Sequence, residues 1–400
     1  MQPRDRGRQL SRGLTLVELM VALAIGLVLS LAVALAMLSM GRQFRTVGAN
    51  ASAQINAQLA LALIDGAGRT AGAGLFTNSQ PLCQRFNAWR NGSVVSNGAP
   101  LMPARIIDGG SATASDRLVF SASTATGALS GMAVLDAMAS VDANIVISDA
   151  GRLAANEMAI VAVPGSTSVP CTLFQVSAAP GVVSTCGGNA TQCKSVPHAS
   201  NSTFNPAAGT FADEPRYGFT SAGAVNGPAV VVGMGTAFRQ SAFAVMCDTL
   251  VQYDAFTDTP TCSVGPLAFS GGANALISDI VQLHAQYGIS SIPSSDIVTS
   301  WVSASGTTWS NPSADNVGRI KAVRVVIVSR AKEPAGEAVT AASCTNSGGV
   351  VNTGPCSFDD AEAPVIDLGS VSIPSGGNWR HYRYRVHQAV MPLRNVIWSN

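Results

Sequence analysis

Charge is scarce in this sequence of 400 residues, since only 12 % of the residues are charged, about half the usual share for a globular protein. The 24 basic and 23 acidic residues nearly cancel, so the chain lacks the basic excess of a nucleic-acid-binding protein. Aromatic residues make up only 6 %, and there are only four histidines. These shortages exclude an acidic disordered chain, argue against a nucleic-acid partner and leave few side chains for acid–base or metal chemistry.

Cysteine is present in an even number, eight, and every cysteine lies beyond residue 80. There is no C-x-x-C pair, so disulfides in an oxidising compartment are favoured over zinc. Eight cysteines allow 105 pairings, and sequence proximity favours Cys247–Cys262 and Cys344–Cys356. Among the other four, at positions 83, 171, 186 and 193, Cys186–Cys193 is the most local pairing, and the choice stays open.

The N-terminus has four arginines and one aspartate within residues 1–13, followed by an apolar run over residues 19–38 that only Gly26 and Ser30 interrupt. A helix of this length is about 30 Å long, enough to cross a bilayer, whereas a cleaved signal peptide has a shorter apolar core. The sequence therefore predicts a membrane anchor. Glu18 lies at the start of the run, where a carboxylate is costly. It either reaches the headgroups or pairs with a cation from another subunit.

Residues 13–21, with Gly13 before Leu14 and Glu18 five residues after Gly13, resemble the processing motif of type IV prepilins and pseudopilins. The resemblance implies that a prepilin peptidase cuts between Gly13 and Leu14 and that the new amino group of Leu14 is methylated. Glu18 then becomes the fifth residue of the mature chain. A methylated ammonium that pairs with Glu18 of a neighbouring helix would neutralise two charges in an apolar setting.

Residues 278–288, 319–330 and 382–395 resemble PilW-type minor pilins. This resemblance implies a structural protein that primes pilus assembly near the filament tip with other minor pilins and the major pilin, and so supports twitching motility and adhesion. It also implies a single-pass protein of the bacterial inner membrane with a periplasmic head, later part of the extracellular pilus. A J-type pseudopilin of type II secretion and a tip adhesin, with residues 165–228 as its binding surface, are the alternatives.

The predicted fold is α+β and pilin-like, with a long N-terminal helix packed on an antiparallel β-sheet head. We expect a leader over residues 1–13, a membrane and filament helix over 14–40, an amphipathic helix over 41–75 and a β-rich head over 76–400. Apolar residues at helical spacing predict the face that packs on the head, namely Ile55, Leu59, Ala62 and Leu63. Alternation over residues 277–289 predicts a strand with one solvent-exposed polar face. Residues 165–228 are expected to form an irregular insertion that contains disulfides.

No catalytic motif is present, and we expect neither an enzyme, nor a cofactor, metal or small-molecule substrate. His381 and His387 flank two arginines on a predicted strand, where a solvated face is the simpler interpretation. The acidic group Asp359, Asp360 and Glu362 lacks the spacing of a calcium loop. The function expected from the sequence is therefore the one that the resemblance to PilW-type minor pilins implies, a structural role in pilus assembly.

Overall fold

The computed structural model describes residues 15–77, 80–125, 131–148, 153–184, 186, 193–200, 202–218, 226–262, 269–373 and 377–397. One helix, Leu16–Thr70, opens the described chain, and the fold divides within it into two units, Met1–Ser52 and Ala53–Asn400. The first unit is helical from Leu16 onward. The second combines the remainder of the helix with several sheets, as predicted for an α+β, pilin-like chain.

The part of the helix that belongs to the second unit packs on a sheet that we name the C-terminal sheet. It has four antiparallel strands, in the spatial order Ser300–Val302, Ile280–Ile289, Ile320–Arg330 and Tyr384–Pro392. The strand predicted over residues 277–289 is broken at Asp279, which has a φ of 62° and separates it from Asn274–Ser278. Strand Tyr384–Pro392 forms one edge of this sheet. The sheet and the helix therefore share the largest apolar core of the head.

Two larger sheets form the rest of the head. A five-stranded antiparallel sheet has the order Asn274–Ser278, Thr249–Asp254, Phe238–Met246, Arg117–Ser123 and Ala104–Ile107. A six-stranded sheet has the order Ser93–Ala99, Phe86–Arg90, Cys171–Gln175, Met158–Ala162, Val230–Gly235 and Met132–Ala133. Its one parallel pair joins Cys171–Gln175 to Phe86–Arg90. A strand from the predicted insertion thus lies inside this sheet.

Smaller elements complete the fold. A three-stranded sheet has the order Gly181–Val183, Cys193–Val196 and Ile145–Ile147, so the 165–228 segment supplies two of its strands. The three two-stranded ribbons are Phe76–Thr77 with Gln80–Pro81, Thr261–Cys262 with Phe269–Ser270, and Cys344–Thr345 with Val351–Asn352. The short helices are Gly306–Trp309, Ala314–Arg319 and Arg394–Ile397, and 3₁₀ turns span Leu368–Ser370 and Trp379–His381.

The polar face of strand Ile280–Ile289 is buried, so the prediction of one solvent-exposed face is wrong for this strand. The segment that follows Arg330 covers it. The side-chain amide of Gln282 donates to the carbonyl of Asp367 at 2.6 Å, and that of Gln286 donates to the carbonyl of Glu362 at 2.8 Å. Glutamine side chains on this face therefore hold a covering segment and do not face solvent.

Four disulfides join the eight cysteines. Three join neighbours along the chain, Cys186–Cys193, Cys247–Cys262 and Cys344–Cys356. The fourth, Cys83–Cys171, joins positions 88 residues apart, and Cys171 begins a strand of the six-stranded sheet. Each cross-link restricts the unfolded chain, and the long one restricts it most.

Candidate functional site

The helix begins with a reciprocal pair of hydrogen bonds between Thr15 and Glu18. The backbone N–H of Glu18 donates to Oγ1 of Thr15 at 3.2 Å, and the backbone N–H of Thr15 donates to Oε2 of Glu18 at 3.0 Å. The Thr15 hydroxyl also donates to Oε2, at 3.1 Å. This arrangement is a capping box, which satisfies N–H groups that the first helical turn leaves without partners. Gly13 and Leu14 lie outside the described residues.

The capping box fixes the position of the Glu18 carboxylate. Oε2 of Glu18 accepts hydrogen bonds from Thr15, the residue before the helix, yet the Glu18 side chain remains exposed. An ionised carboxylate has about four lone-pair sites, so Oε1 and Oε2 together can accept further donors. Glu18 can therefore cap its own helix and at the same time accept a hydrogen bond from a cationic group of another chain.

The helix from Leu16 to Gly41 is long and apolar enough to cross a membrane. It has 26 residues, its most apolar stretch of 18 residues has a mean hydropathy of 2.8, and no part of that stretch is buried within the chain. Glu18 is its only charged residue. Exposed leucine, valine and methionine side chains cover it on every side, which is unfavourable in water and favourable in lipid. The apolar helix is therefore an anchor by length and composition.

Beyond the apolar segment, the helix packs on the head through the face opposite to the predicted one. Ala57, Ala60 and Ile64 are fully buried against the C-terminal sheet. Two hydrogen bonds support this contact: the Ser329 hydroxyl donates to the carbonyl of Ala53 at 2.8 Å, and the Asn56 amide donates to the carbonyl of Ser278 at 3.3 Å. The prediction that Ile55, Leu59, Ala62 and Leu63 pack on the head is therefore wrong.

These four residues form an exposed apolar stripe, which we name the outer stripe. The side chains of Ile55, Leu59 and Leu63 are 61 %, 51 % and 39 % exposed. Small residues of the helix face the head because they let helix and strands approach closely, as where Gly68 lies against Phe120 of the five-stranded sheet. The larger residues of the same helix are consequently left on the outer side. Such a contiguous apolar strip is typical of a surface that contacts another protein.

A groove of about 380 Å³ lies beside the outer stripe. Leu61 and Asp65 line its helix side, and Val390 and Pro392 of the edge strand line the other. Asp65 forms an ion pair with Arg69 at 2.6 Å, one helical turn later. The outer stripe, the groove and the edge strand together offer one continuous surface of mixed apolar and polar character.

The C-terminal sheet buries cationic side chains with their partners. Arg324 is 1 % exposed and binds Asp360 through two hydrogen bonds of 2.6 and 3.0 Å. Its guanidinium lies 4.8 Å from the ring centre of Trp301 and 4.7 Å from that of Phe358. The pKa of Asp360 is held below its usual value, first by the hydrogen bonds from Arg324. This arrangement secures the covering segment to the sheet.

The acidic residues and histidines considered above for metal or anion binding do not form a site. The acidic side chains make hydrogen bonds within the protein, and the two histidines lie in different elements. Oε2 of Glu362 accepts the backbone N–H of Trp301 at 2.7 Å, and Asp360 is held by Arg324. His381 lies in a 3₁₀ turn and His387 on the edge strand. Among the described residues, no group of three or more histidine, cysteine, aspartate or glutamate side chains is placed to hold a metal ion.

Comparison with known families identifies two parts of the chain. Residues 266–395 match the family model described as Type IV Pilus-assembly protein W, and residues 8–34 match the model described as Prokaryotic N-terminal methylation motif. No curated protein and no solved structure matches the chain. The chain is thus a pilin-like protein related to type IV pilus assembly, PilW-type over its C-terminal region, with a prepilin motif at its N-terminus.

The first match contains the C-terminal sheet and its buried arginine, and the second contains Glu18 and most of the apolar helix. Residues 35–265 lie outside both, and they include the outer stripe. Sequence reasoning placed the stripe on the wrong side of the helix. The signal that could have placed it is the second apolar set at helical spacing, Ala53, Ala57, Ala60 and Ile64, whose residues are mostly small.

Proposed function

We propose that this chain is a minor pilin that primes type IV pilus assembly near the filament tip, together with other minor pilins and the major pilin. In this proposal a prepilin peptidase removes residues 1–13 and the amino group of Leu14 is methylated. Residues 14–40 then anchor the chain in the bacterial inner membrane, residues 41–75 link anchor and head, and residues 76–400 form a periplasmic head. The observation that carries the proposal is Glu18, the single charge of an apolar helix behind a prepilin-type motif.

The proposed docking chemistry is the neutralisation of Glu18 by the terminal ammonium of a neighbouring subunit. Leaving one charge alone in lipid costs about 2.5–3.5 kcal/mol at a helix centre. A partner ammonium removes much of this cost for both groups. The exposed carboxylate at the start of the helix is compatible with this pairing, because within the described part of the chain its hydrogen bonds come from Thr15.

Processing gives the direct test of the N-terminal part of this proposal. Intact mass and N-terminal sequencing of the protein from membranes should show a chain that begins at N-methyl-Leu14. In cells without prepilin peptidase the same protein should keep residues 1–13. A chain that begins at Met1 in both strains, or one cut after residue 34 or 36, would contradict the pilin assignment and indicate an ordinary anchor or signal peptide.

The outer stripe is the proposed contact surface for a neighbouring pilin helix. We expect Leu59→Lys to reduce the number of pili about tenfold or more, because burying a leucine contributes about 1.5–3 kcal/mol to an interface. The head should remain folded, since half of this side chain is exposed in the single chain. Pili counted by electron microscopy give the readout, and the melting temperature of the purified variant reports on folding.

Gln58→Lys is the matched control, because Gln58 is the exposed neighbour on the polar side of the same helix. It introduces the same charge one position away and should leave the pilus count near that of the unmodified protein. Equal losses in both variants would show that charge alone disturbs assembly. Normal piliation in the Leu59 variant would remove the outer stripe from the proposed interface.

A further inference from the structure

We propose that a cleft on the five-stranded sheet of the head binds an acidic saccharide. The cleft has a volume of about 550 Å³, and the residues that line it lie between Phe86 and Thr261. Neither family match reaches this part of the chain. The proposal therefore stands apart from the assembly function and concerns what the head binds.

One face of the sheet forms the floor of the cleft. Arg105 lies opposite Val119 on the next strand, and Val119 lies opposite Ala242. Ala242 in turn lies opposite Tyr253. Directly opposed residues of antiparallel strands share a face, so this row crosses four strands on one side of the sheet. Arg105, Val119 and Tyr253 of this row line the cleft, whereas the side chain of Ala242 is fully buried.

Two arginines face the cleft from neighbouring strands. Arg117 lies opposite Ile107, two residues along the strand from Arg105, so both guanidinium groups are on the cleft side. Both side chains are exposed, and neither has a hydrogen bond or ion pair to any residue that the structure describes. Of the described acidic residues only Asp258 lines the cleft. The lining therefore carries a net positive charge.

The remaining lining mixes amide, hydroxyl and apolar groups. The Gln240 amide donates to the Ser121 hydroxyl at 3.3 Å on the floor. The hairpin of Phe86–Arg90 and Ser93–Ala99 forms the facing wall, which contributes the Asn97 amide and the partly exposed Val95. Such a lining can donate and accept hydrogen bonds while it covers an apolar surface.

The size and the mixture of groups select the ligand class. A guanidinium binds a carboxylate through two parallel hydrogen bonds, and two unpaired arginines can hold one or two such groups. A simple inorganic anion would occupy a small part of a cleft that falls within the range of organic ligand pockets, about 300–1,000 Å³. A sugar acid supplies a carboxylate for the arginines, hydroxyls for the amides and an apolar ring face for the exposed side chain of Val95.

Calorimetric titration of the full-length protein in detergent tests the proposal with three ligands. Digalacturonate should bind, whereas the neutral disaccharide lactose and inorganic phosphate should bind at least about tenfold more weakly, because each lacks one part of the recognition. If lactose binds as tightly as digalacturonate, the arginines do not contribute to ligand recognition. Equal binding of phosphate would reduce the cleft to a simple anion site. Absence of digalacturonate binding would overturn the proposal.

Arg105→Gln and Arg117→Gln should each weaken digalacturonate binding about tenfold, the usual effect of removing a charge-assisted hydrogen bond. Arg239→Gln is the matched control: Arg239 is opposite Ala122, on the other face of the same sheet. It makes the same change of charge and should leave binding unchanged. An equal loss in all three variants would show that overall charge, and not the cleft, attracts the ligand.

Discussion

Replacing Glu18 with glutamine should abolish the contribution of this chain to piliation while the protein still inserts into the membrane. Glutamine preserves the capping box, because the third helical position accepts glutamate or glutamine equally in this motif. It removes the charge, and losing one member of an ion pair in an apolar environment costs about 3–5 kcal/mol. That cost corresponds to a loss of roughly a hundredfold or more in an assembly equilibrium. Pili counted in cells that carry only the variant give the measurement.

Thr15→Ala is the complementary variant, because it removes the cap and keeps the carboxylate. Loss of a threonine cap costs about 1 kcal/mol of helix stability, so piliation should fall far less than with Glu18→Gln. If Thr15→Ala abolishes pili and Glu18→Gln does not, helix capping is the role of Glu18 and the proposed pairing with a partner ammonium is wrong. Immunoblots of membrane fractions confirm that both variants insert.

Replacing Asp360 with asparagine should destabilise the head by about 2–4 kcal/mol, because it leaves the buried guanidinium of Arg324 without its anionic partner. The magnitude is set below that of a fully buried pair, since the side chain of Asp360 is 43 % exposed. Guanidinium denaturation of the full-length protein at pH 7 measures the free energy of unfolding. Asp359→Asn is the control, because Asp359 is exposed and accepts a long hydrogen bond of 3.5 Å from the Ser347 hydroxyl. The control should change stability by less than about 0.5 kcal/mol.

The same pair predicts a pH dependence. Hydrogen bonds from Arg324 hold the pKa of Asp360 below the ordinary value of an aspartate, about 3.9 in the unfolded chain. The stabilisation is therefore complete above about pH 4 and is lost as the pH falls through the lowered pKa of the folded state. The difference between the unmodified protein and Asp360→Asn should shrink in this acidic range. A difference that is constant down to pH 2 would show that Asp360 stabilises the head by packing and not by its charge.

Local patterns were sufficient to predict the features that depend on neighbours along the chain. The apolar run and Glu18 indicated the anchor and the prepilin motif, and alternation over residues 277–289 indicated a strand, which the structure forms as Asn274–Ser278 and Ile280–Ile289. Each of these features can be predicted from a single continuous segment of the sequence. The α+β class followed from the same reasoning, because a long helix and many short strands leave few other arrangements.

The outer stripe and the cleft could not be predicted in this way. Hydrophobicity alone favours burial of Ile55 and Leu59, whereas the shape of the sheet favours the small alanines on the other side of the helix. The cleft requires Arg105, Val119 and Tyr253 to lie in one row, although they come from separate strands. Such placement depends on strand order and register, which a single sequence does not determine.

The disulfide between Cys83 and Cys171 determines how the head responds to mechanical load. A pull between the N-terminal helix and any point beyond Cys171 passes through the covalent bridge, so the chain between the two cysteines carries no tension. At about 3.4 Å for each extended residue, the sequence separation of 88 between the two cysteines removes roughly 300 Å from the length to which the head can be drawn out. The part of the head that holds the hairpin wall of the cleft, Ser93–Ala99, lies within this protected loop. A head built in this way can be stretched at its end without this hairpin being pulled out along the chain.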